Sequence, residues 1–454
     1  MEQKKNPLGE LPVGQLLLKF AVPSIIAMLV AALYNIVDQF FIGRSIGELG
    51  NAATNVAFPL TTSCISLALM FGVGGAASFN LSMGRGEKDK AVWYMGNAAA
   101  MLFLCGTALM IAVRTFLRPM LIFFGAPENV LGYAMTYTGI TSLGFPFLIL
   151  SSGGANLVRA DGSPRYSMLC NLTGAIVNTI LDPLFIFGFD MGMAGAALAT
   201  ILGQIVSATM IAVYLSRCKT VRLSLKNIVP RFTYVRRIAA LGAASFFNQM
   251  AMMIVQIALN KSLTYYGAQS VYGPAIPLAC AGIVTKVNQV FFSVIIGISQ
   301  GLQPIVSFNY GARKYDRARG AYFLAVRAGF CLSLCAFLLF QIFPSQLMGI
   351  FGRGSQEYID FGVNYFRIFL FFTFLNFLQP ISSNLFTAIG KPQKGAFLSL
   401  TRQILFLLPL VILLPRFMGI DGIMYAAPIA DFTAAAVAAL MVRQEMKLMR
   451  AQAQ

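Results

Sequence analysis

The chain alternates between long apolar runs and short polar segments along its whole length. About twelve runs approach or exceed the roughly 20 residues that a helix needs to cross a bilayer, so each predicts a membrane-spanning helix. Membrane β-barrel strands are instead short segments of alternating polarity. We therefore predict an all-α polytopic membrane protein with spans at 16–42, 52–82, 92–113, 131–157, 165–188, 193–215, 238–261, 273–300, 319–343, 361–387, 395–416 and 420–442.

Composition supports the membrane class. Of the 454 residues, 57% are hydrophobic and 11% are charged, with a mean hydropathy of +0.73, whereas soluble domains carry about 25% charged residues. The net charge of +18 follows from topology and needs no nucleic-acid partner. With both termini inside, most basic residues fall in inward segments, and the outward loops hold only Arg44, Arg114, Arg118, Arg353 and Arg416. The bias predicts a multi-pass protein of the cell (inner or plasma) membrane with cytoplasmic termini.

Internal repetition predicts two related halves. Three pairs of segments recur at an offset of about 227 residues: GRGEKDKA (84–91) with GARKYDRA (311–318), RADGSPR (159–165) with TAIGKPQ (387–393), and GMAGAALA (192–199) with GIDGIMYA (419–426). We predict a six-helix lobe at 1–216, a basic cytoplasmic linker at 217–237 and a second six-helix lobe at 238–454. Because each lobe has an even number of spans, both share one orientation. Substrate is then expected between the lobes, with rocking of one lobe against the other alternating its access.

Asp38 and Asp182 are the most informative residues, because both lie deep inside apolar runs. A carboxylate at that depth costs several kcal/mol unless it has a partner, and it marks a functional site by default. If the first, fourth, fifth and sixth spans face each other, further oxygen-bearing side chains surround the pair. A cation or proton site is therefore predicted, with Na⁺ as the possible metal at Asp38 and Asp182, from Asp38, Asn156, Asn178, Asp182 and Thr200, with Tyr34, Asn35 and Gln204 beside them.

Several polar residues admit a structural interpretation as well. Each amide or hydroxyl of the set could simply join helices by hydrogen bonds. In the second half, Asp431 and Arg402 are expected to pair with each other rather than to act in transport. Gln256 and Lys286 are further candidates for substrate contact, although Lys286 could also extend to the membrane surface.

The sequence lacks the residues that hydrolytic enzymes, zinc enzymes and ATP-driven pumps require. The chain has no histidine, which removes Ser-His-Asp chemistry and His-ligated zinc, and it has no GxxxxGK[ST] phosphate loop. We predict no catalytic residues, no cofactor beyond a coupling ion, and neither an enzyme nor a primary pump. A flippase for a lipid-linked or polyprenyl precursor is the alternative function, and a gated channel is less compatible with the repeat. Nothing in the chain demands a dimer, so a monomer is expected.

Several segments together resemble the multidrug and toxic compound extrusion (MATE) family over essentially the whole chain: YNIVDQFFIG (34–43), GRGEKDKA (84–91), RADGSPR (159–165), NTILDPLFIFG (178–188), GAALAT (195–200) followed by Gln204, FNYGARK (308–314) and AIGKP (388–392). The resemblance implies a V-shaped pair of six-helix bundles that exports organic cations or other amphipathic molecules against inward Na⁺ or H⁺ flow.

Within that family, the chain resembles the DNA-damage-inducible-type branch, whose cation site is in the first lobe. The matching positions are Asp38, Asn156, Asn178, Asp182 and Thr200. A branch with acidic groups in the seventh and tenth helices is matched poorly, because the seventh span here offers Gln256 and Lys261. The resemblance is compatible with either coupling ion.

Overall fold

The computed structural model describes residues 6–350 and 355–453, apart from the side chain of Glu48. Arg353, predicted to lie in an outward loop, falls outside the described residues. Within these described ranges, twelve helical segments are long and apolar enough to cross a membrane, as predicted. Their bounds are Val13–Ile46, Leu49–Gly84, Lys88–Thr115, Glu128–Ala160, Pro164–Gly188, Gly192–Ser216, Phe232–Ala268, Ala275–Gly311, Tyr315–Ile342, Gln356–Ala388, Pro392–Met418 and Ile420–Ala453. We number them as the first to twelfth spans.

Four spans are irregular, and they occupy equivalent places in the two halves. The fourth and tenth each consist of two helices: Glu128–Thr141 with Phe145–Ala160, and Gln356–Phe369 with Leu378–Ala388. The fifth and eleventh contain π-helical turns at Leu184–Gly188 and Thr401–Leu407. Prolines at or beside three of these breaks remove backbone donors and favour a local change of helix type.

The segments that repeat in the sequence form matching turns. Gly162 and Gly390 have φ of 86° and 80°, and Gly192 and Gly419 have φ of 54° and 63°. Glycine adopts this left-handed region at little cost, so these turns explain why glycine recurs at equivalent positions. Short helices at Leu117–Phe123 and Pro344–Ile350 also follow the third and ninth spans.

The packing of the first span joins the two halves. The first half has its own apolar core around Phe71, Leu102 and Leu157, and the second half has one around Phe340 and Phe361. The early part of the first span, including Leu16 and Phe20, packs instead with Leu302, Tyr322 and Phe386 of the second half. Its later part, at Ile42, packs with the first half. The first span therefore packs against the second half near its beginning and against the first half near its end.

The halves also meet through closely approaching backbones, towards the end of the bundle that carries both chain termini. A Cβ atom on Gly74 would collide with the carbonyl oxygen of Ile238, and one on Gly242 with the carbonyl of Met70. Gly84 and Gly311 make equivalent approaches to Phe308 and Leu81. Small residues allow membrane helices to come this close. We call this region the closed end.

We expect Gly242→Ala to destabilise the protein, because the added methyl group collides with backbone of the second span rather than with a flexible side chain. Overpacking of this kind costs about 1–3 kcal/mol. Thermal unfolding of the purified protein should show the loss. The matched control is Gly282→Ala in the eighth span, where an added Cβ meets no atom within 4 Å and alanine is the better helix former. Equal stability of the two variants would contradict the close packing described for the second and seventh spans.

Candidate functional site

A cavity of about 470 Å³ lies between the two halves. Residues from both halves line it, among them Tyr34, Asn178 and Thr200 from the first and Gln300 and Asn384 from the second. Most of the wall consists of small, apolar or amide side chains. Asp38 and Asp182 are not part of this lining. The two carboxylates therefore lie behind the cavity wall, within the first half.

The structure brings the two predicted aspartates together. Asp38, in the outer part of the first span, and Asp182, at the end of the regular helix of the fifth span, lie within hydrogen-bonding reach of each other. Asp38 is 8% exposed and Asp182 is fully buried. Pro183 and the π turn at Leu184–Gly188 follow Asp182 directly, and such turns are frequent at functional sites.

Asn178 and Thr200 connect this pair to the cavity. One orientation of the Asn178 amide satisfies both of its ends. Its nitrogen then donates to Asp182 Oδ2 at 3.1 Å, and its oxygen accepts from the Thr200 backbone N–H at 3.2 Å. The Thr200 hydroxyl donates to the carbonyl oxygen of Ala196 at 3.0 Å. Both residues also line the cavity. A movement of the Asp182 carboxylate can therefore reach the cavity wall through the Asn178 side chain alone.

Tyr137 belongs to the same cluster and was missed by sequence reasoning. Its hydroxyl lies within hydrogen-bonding reach of Thr200 and close to Tyr34 and both carboxylates. It is in the outer helix of the fourth span, four residues before the polar Thr141, in the segment YTGIT (137–141). A phenol in an apolar span on the same helix face as a hydroxyl was the available signal.

The remaining predicted residues do not all join the cluster. Asn156 accepts from Arg159 Nη1 at 3.2 Å and donates to the carbonyl oxygen of Ser152; no hydrogen bond of the described residues links it to the carboxylates. Asn35 is exposed and donates to the carbonyl oxygen of Ala31. Gln204 lines the cavity, and its Oε1 is buried without a hydrogen-bond donor among the described residues.

The two candidates of the second half lie outside the cavity lining. Gln256 donates to Oδ1 of Asn260 at 2.9 Å, one turn along the seventh span. Lys286 is exposed. Neither contributes to the wall as the structure describes it, so a contact with substrate in this conformation is not supported for either residue.

The carboxylate cluster has the chemistry of a cation or proton site. Oδ1 of Asp38 is buried and has no hydrogen-bond donor among the described residues. Buried polar atoms are normally partnered, and hard cations prefer carboxylate, amide and hydroxyl oxygens. A cation or a shared proton would fill this deficit and separate two like charges.

The buried charges of the second half form an ion pair. Nε of Arg402 lies 2.5 Å from Oδ1 of Asp431, and the two side chains are 16% and 1% exposed. The pairing predicted from the sequence is therefore present. Because each charge has its counter-charge, the pair fits a structural role.

Comparisons with known proteins agree with one another. The MatE family profile matches residues 23–184 and 244–413. The chain is 24% identical over 432 residues to the multidrug export protein MepA of Staphylococcus aureus strain MSSA476, covering 95% of this chain and 94% of that protein. It is 24% identical over 429 residues to MepA of Staphylococcus saprophyticus, covering 94% and 92%.

A solved structure has the same fold. It is described as the outward-facing conformation of a multidrug resistance MATE family transporter of the MOP superfamily. It superimposes with a TM-score of 0.91 at 22% identity, covering 99% of both chains.

We expect Tyr137→Phe to weaken cation binding, because it removes the hydroxyl that reaches Thr200 beside the carboxylates. Loss of one hydrogen bond costs about 0.5–1.5 kcal/mol, which is about a threefold to tenfold loss in affinity. The measurement is the Na⁺ or H⁺ concentration that gives half-maximal efflux from reconstituted vesicles. Tyr133→Phe is the control, since Tyr133 is exposed on the same helix. Identical ion dependence of the two variants would exclude Tyr137 from the site.

We expect Asp431→Asn to lower the free energy of unfolding by about 3–5 kcal/mol, because it leaves Arg402 buried without a counter-charge. Replacing both residues by apolar ones, as Arg402→Met with Asp431→Leu, should recover most of that loss. Thermal unfolding of both variants and the wild type makes the comparison. A single variant as stable as the wild type would contradict the pairing role.

Proposed function

Because this chain belongs to the MatE family, a family of transporters rather than enzymes, we propose that it is an ion-coupled antiporter. Its proposed substrates are drugs, organic cations and other amphipathic molecules, exported by alternating access. Full-length similarity to proteins named for multidrug export supports export of drug-like molecules. The observation that carries the coupling is the buried Asp38–Asp182 pair, which lies behind the cavity wall and shares residues with it.

Repulsion between the carboxylates of Asp38 and Asp182 can couple ion binding to a conformational change. Two negative charges within hydrogen-bonding reach interact by several kcal/mol at the effective dielectric constant of a protein. Binding of Na⁺, or of a proton shared between the two groups, relieves that repulsion. A change of this size is enough to shift a two-state equilibrium by orders of magnitude.

The bound ion acts on the cavity through shared side chains. Asn178 contacts Asp182 on one side and the cavity on the other, and Tyr34 lies near both aspartates and lines the cavity. Closure of the carboxylates around a cation would reorient these side chains. The flexible point is the irregular backbone after Asp182, where Pro183 and the π turn leave the helix less regular.

Closure at one end supports alternating access. The glycine contacts seal the two halves at the end that carries both termini. If the termini are cytoplasmic, as the positive-inside bias predicts, these contacts join the two halves on the cytoplasmic side. Rocking of the halves would separate the second span from the seventh and the first span from the eighth.

A first-lobe coupling site is consistent with the proposed DNA-damage-inducible-type branch. Among the described residues, the acidic groups buried in the spans of the second half are Asp431, which pairs with Arg402, and Glu445, which pairs with Lys391 and Lys394. Between Asp360 and the end of the tenth span there is no further carboxylate. The proposed setting is the cell membrane, with the protein acting as a monomer.

We expect efflux from reconstituted vesicles to follow an imposed Na⁺ or pH gradient, and Asp182→Asn to abolish that dependence, because the amide cannot hold a negative charge for the ion. Both a cationic dye and a zwitterionic dye should be tried, with each gradient applied separately. Asp190→Asn is the matched control, since Asp190 is exposed eight residues further along.

Wild-type vesicles that move neither dye under either gradient would contradict the proposed function. A well-folded Asp182→Asn variant with normal coupling would make the carboxylate pair structural. In the first case, translocation of a fluorescent lipid should be measured next, because the lipid-flippase alternative then becomes the leading hypothesis.

A further inference from the structure

Arg159 is the one charged side chain in the cavity wall that the structure describes. It lies in the last turn of the fourth span and is 2% exposed. In the sequence it opens RADGSPR (159–165), just after the predicted fourth span at 131–157. The guanidinium group is nevertheless buried between the two halves.

The partners of this guanidinium are neutral. Nη1 donates to Oδ1 of Asn156 at 3.2 Å and to Oε1 of Gln300, in the eighth span, at 3.0 Å. The donors on Nε and Nη2 have no acceptor among the described residues. Arg159 therefore joins the two halves through one nitrogen and leaves three N–H donors unassigned.

The nearest carboxylate in sequence is engaged elsewhere. Asp161 accepts hydrogen bonds from the Tyr214 hydroxyl at 2.8 Å, from the Lys219 backbone N–H at 2.6 Å and from Thr220. The other buried charges outside the carboxylate pair and Asp161 have counter-charges: Asp431 pairs with Arg402, and Glu445 with two lysines. Within the described residues, Arg159 is the buried cation that has none.

An uncompensated guanidinium at this position is costly. Arginine cannot be neutralised by losing its proton, and a buried charge without a counter-charge loses its favourable hydration. The carboxyl-terminal end of a helix favours a cation, but this effect is much smaller than the lost hydration. Packing alone gives no reason to keep the charge, whereas charged residues inside membrane spans characteristically mark substrate pathways.

The rest of the wall offers no counter-charge for a cationic substrate. Its polar groups are mainly amides and hydroxyls, including Gln303, Gln379 and Asn384, and its apolar groups include Leu148 and Phe292. Asp38 and Asp182 lie behind the wall. The electrostatic character of the cavity is therefore set by a single positive group within an otherwise neutral, amphipathic surface.

We propose that the cavity binds amphipathic molecules that carry a carboxylate, and that this carboxylate docks on the guanidinium of Arg159. The planar fork of arginine matches a carboxylate through two parallel hydrogen bonds. The inference rests on the export function proposed above and adds to its substrate class a preference for molecules that carry a carboxylate. The unassigned donors on Nε and Nη2 can form that pair while Nη1 keeps its contacts to Asn156 and Gln300.

The test uses rhodamine B, which has a free benzoate carboxylate, and its methyl ester, which is a cation. Both dyes are titrated with the purified protein in lipid nanodiscs and followed by fluorescence anisotropy, with empty nanodiscs subtracted for partition into lipid. Wild type should bind the acid at least about 10-fold more tightly than the ester, because a charge-assisted hydrogen bond contributes 1.5–3 kcal/mol.

Arg159→Gln should weaken binding of the acid by about 10-fold or more and leave binding of the ester unchanged. Arg159→Lys should keep the preference for the acid at reduced affinity, since the charge remains but the fork is lost. Arg327→Gln is the matched control, because Arg327 is an exposed arginine of the ninth span. It should behave as wild type with both dyes.

A wild type that binds the ester as tightly as the acid, or that binds neither dye, would overturn the inference. So would an Arg159→Gln variant that retains the preference for the acid. If that variant does not fold, the comparison of the two dyes on wild type decides alone. Gradient-driven efflux of the cationic ester without binding of the acid would contradict this inference and still support the proposed export function.

Discussion

The repulsion between Asp38 and Asp182 is the constraint on which the account of this protein depends. The two buried groups lie within hydrogen-bonding reach of each other, and Oδ1 of Asp38 has no hydrogen-bond donor among the described residues. Neighbouring amide and hydroxyl groups orient the pair but cannot cancel its charge. A mobile cation or proton can cancel that charge. A site that must bind such an ion in each transport cycle is suited to couple ion flow to transport. The cluster lies beside the cavity, so in the proposed mechanism the ion and the substrate would occupy separate places and act on each other through Tyr34, Asn178 and Thr200.

The same physics separates structural charges from functional ones. Arg402 with Asp431, and Glu445 with Lys391 and Lys394, form neutral groups that tie helices together. The carboxylate pair and Arg159 are buried charges that have no counter-charge among the described residues, and both adjoin the cavity. Burial of a charge without a counter-charge is unfavourable. We therefore expect Asp38 with Asp182, and also Arg159, to bind ligands that associate and dissociate. The carboxylate pair attracts a cation and Arg159 an anionic group, on opposite sides of the cavity wall.

Much of the fold could be predicted from the sequence because its signals are local. A run of apolar residues fixes a span whatever it packs against, and glycines such as Gly162 and Gly390 recur because each turn needs a left-handed backbone. Asp38 and Asp182 could be singled out by their depth in apolar runs. Their contact with each other depended on helix packing, which the repeat suggested but did not determine.

Other features depend on long-range contacts that no local pattern records. Arg159 lies beyond the predicted end of the fourth span at 157, yet it is buried and donates to Gln300 of the second half. Asp161 and Glu445 are buried although they lie outside the apolar runs, since they bind backbone and lysine groups brought close by the fold. Asn35, one turn from Asp38 on the same helix, is exposed and donates to the carbonyl oxygen of Ala31 instead of joining the cluster. Tyr137 joins the site from a span that sequence reasoning had represented only by Asn156.

The most direct test of the carboxylate pair is binding of the ion itself, without substrate or gradient. Radioactive Na⁺ binding and proton uptake should be measured on the purified wild type and on Asp38→Asn at several pH values. The account predicts about one equivalent of Na⁺ or H⁺ bound by the wild type at a saturable site, and its loss in the variant. Equal ion binding by the wild type and by a folded Asp38→Asn protein would contradict the claim that these carboxylates form the coupling site.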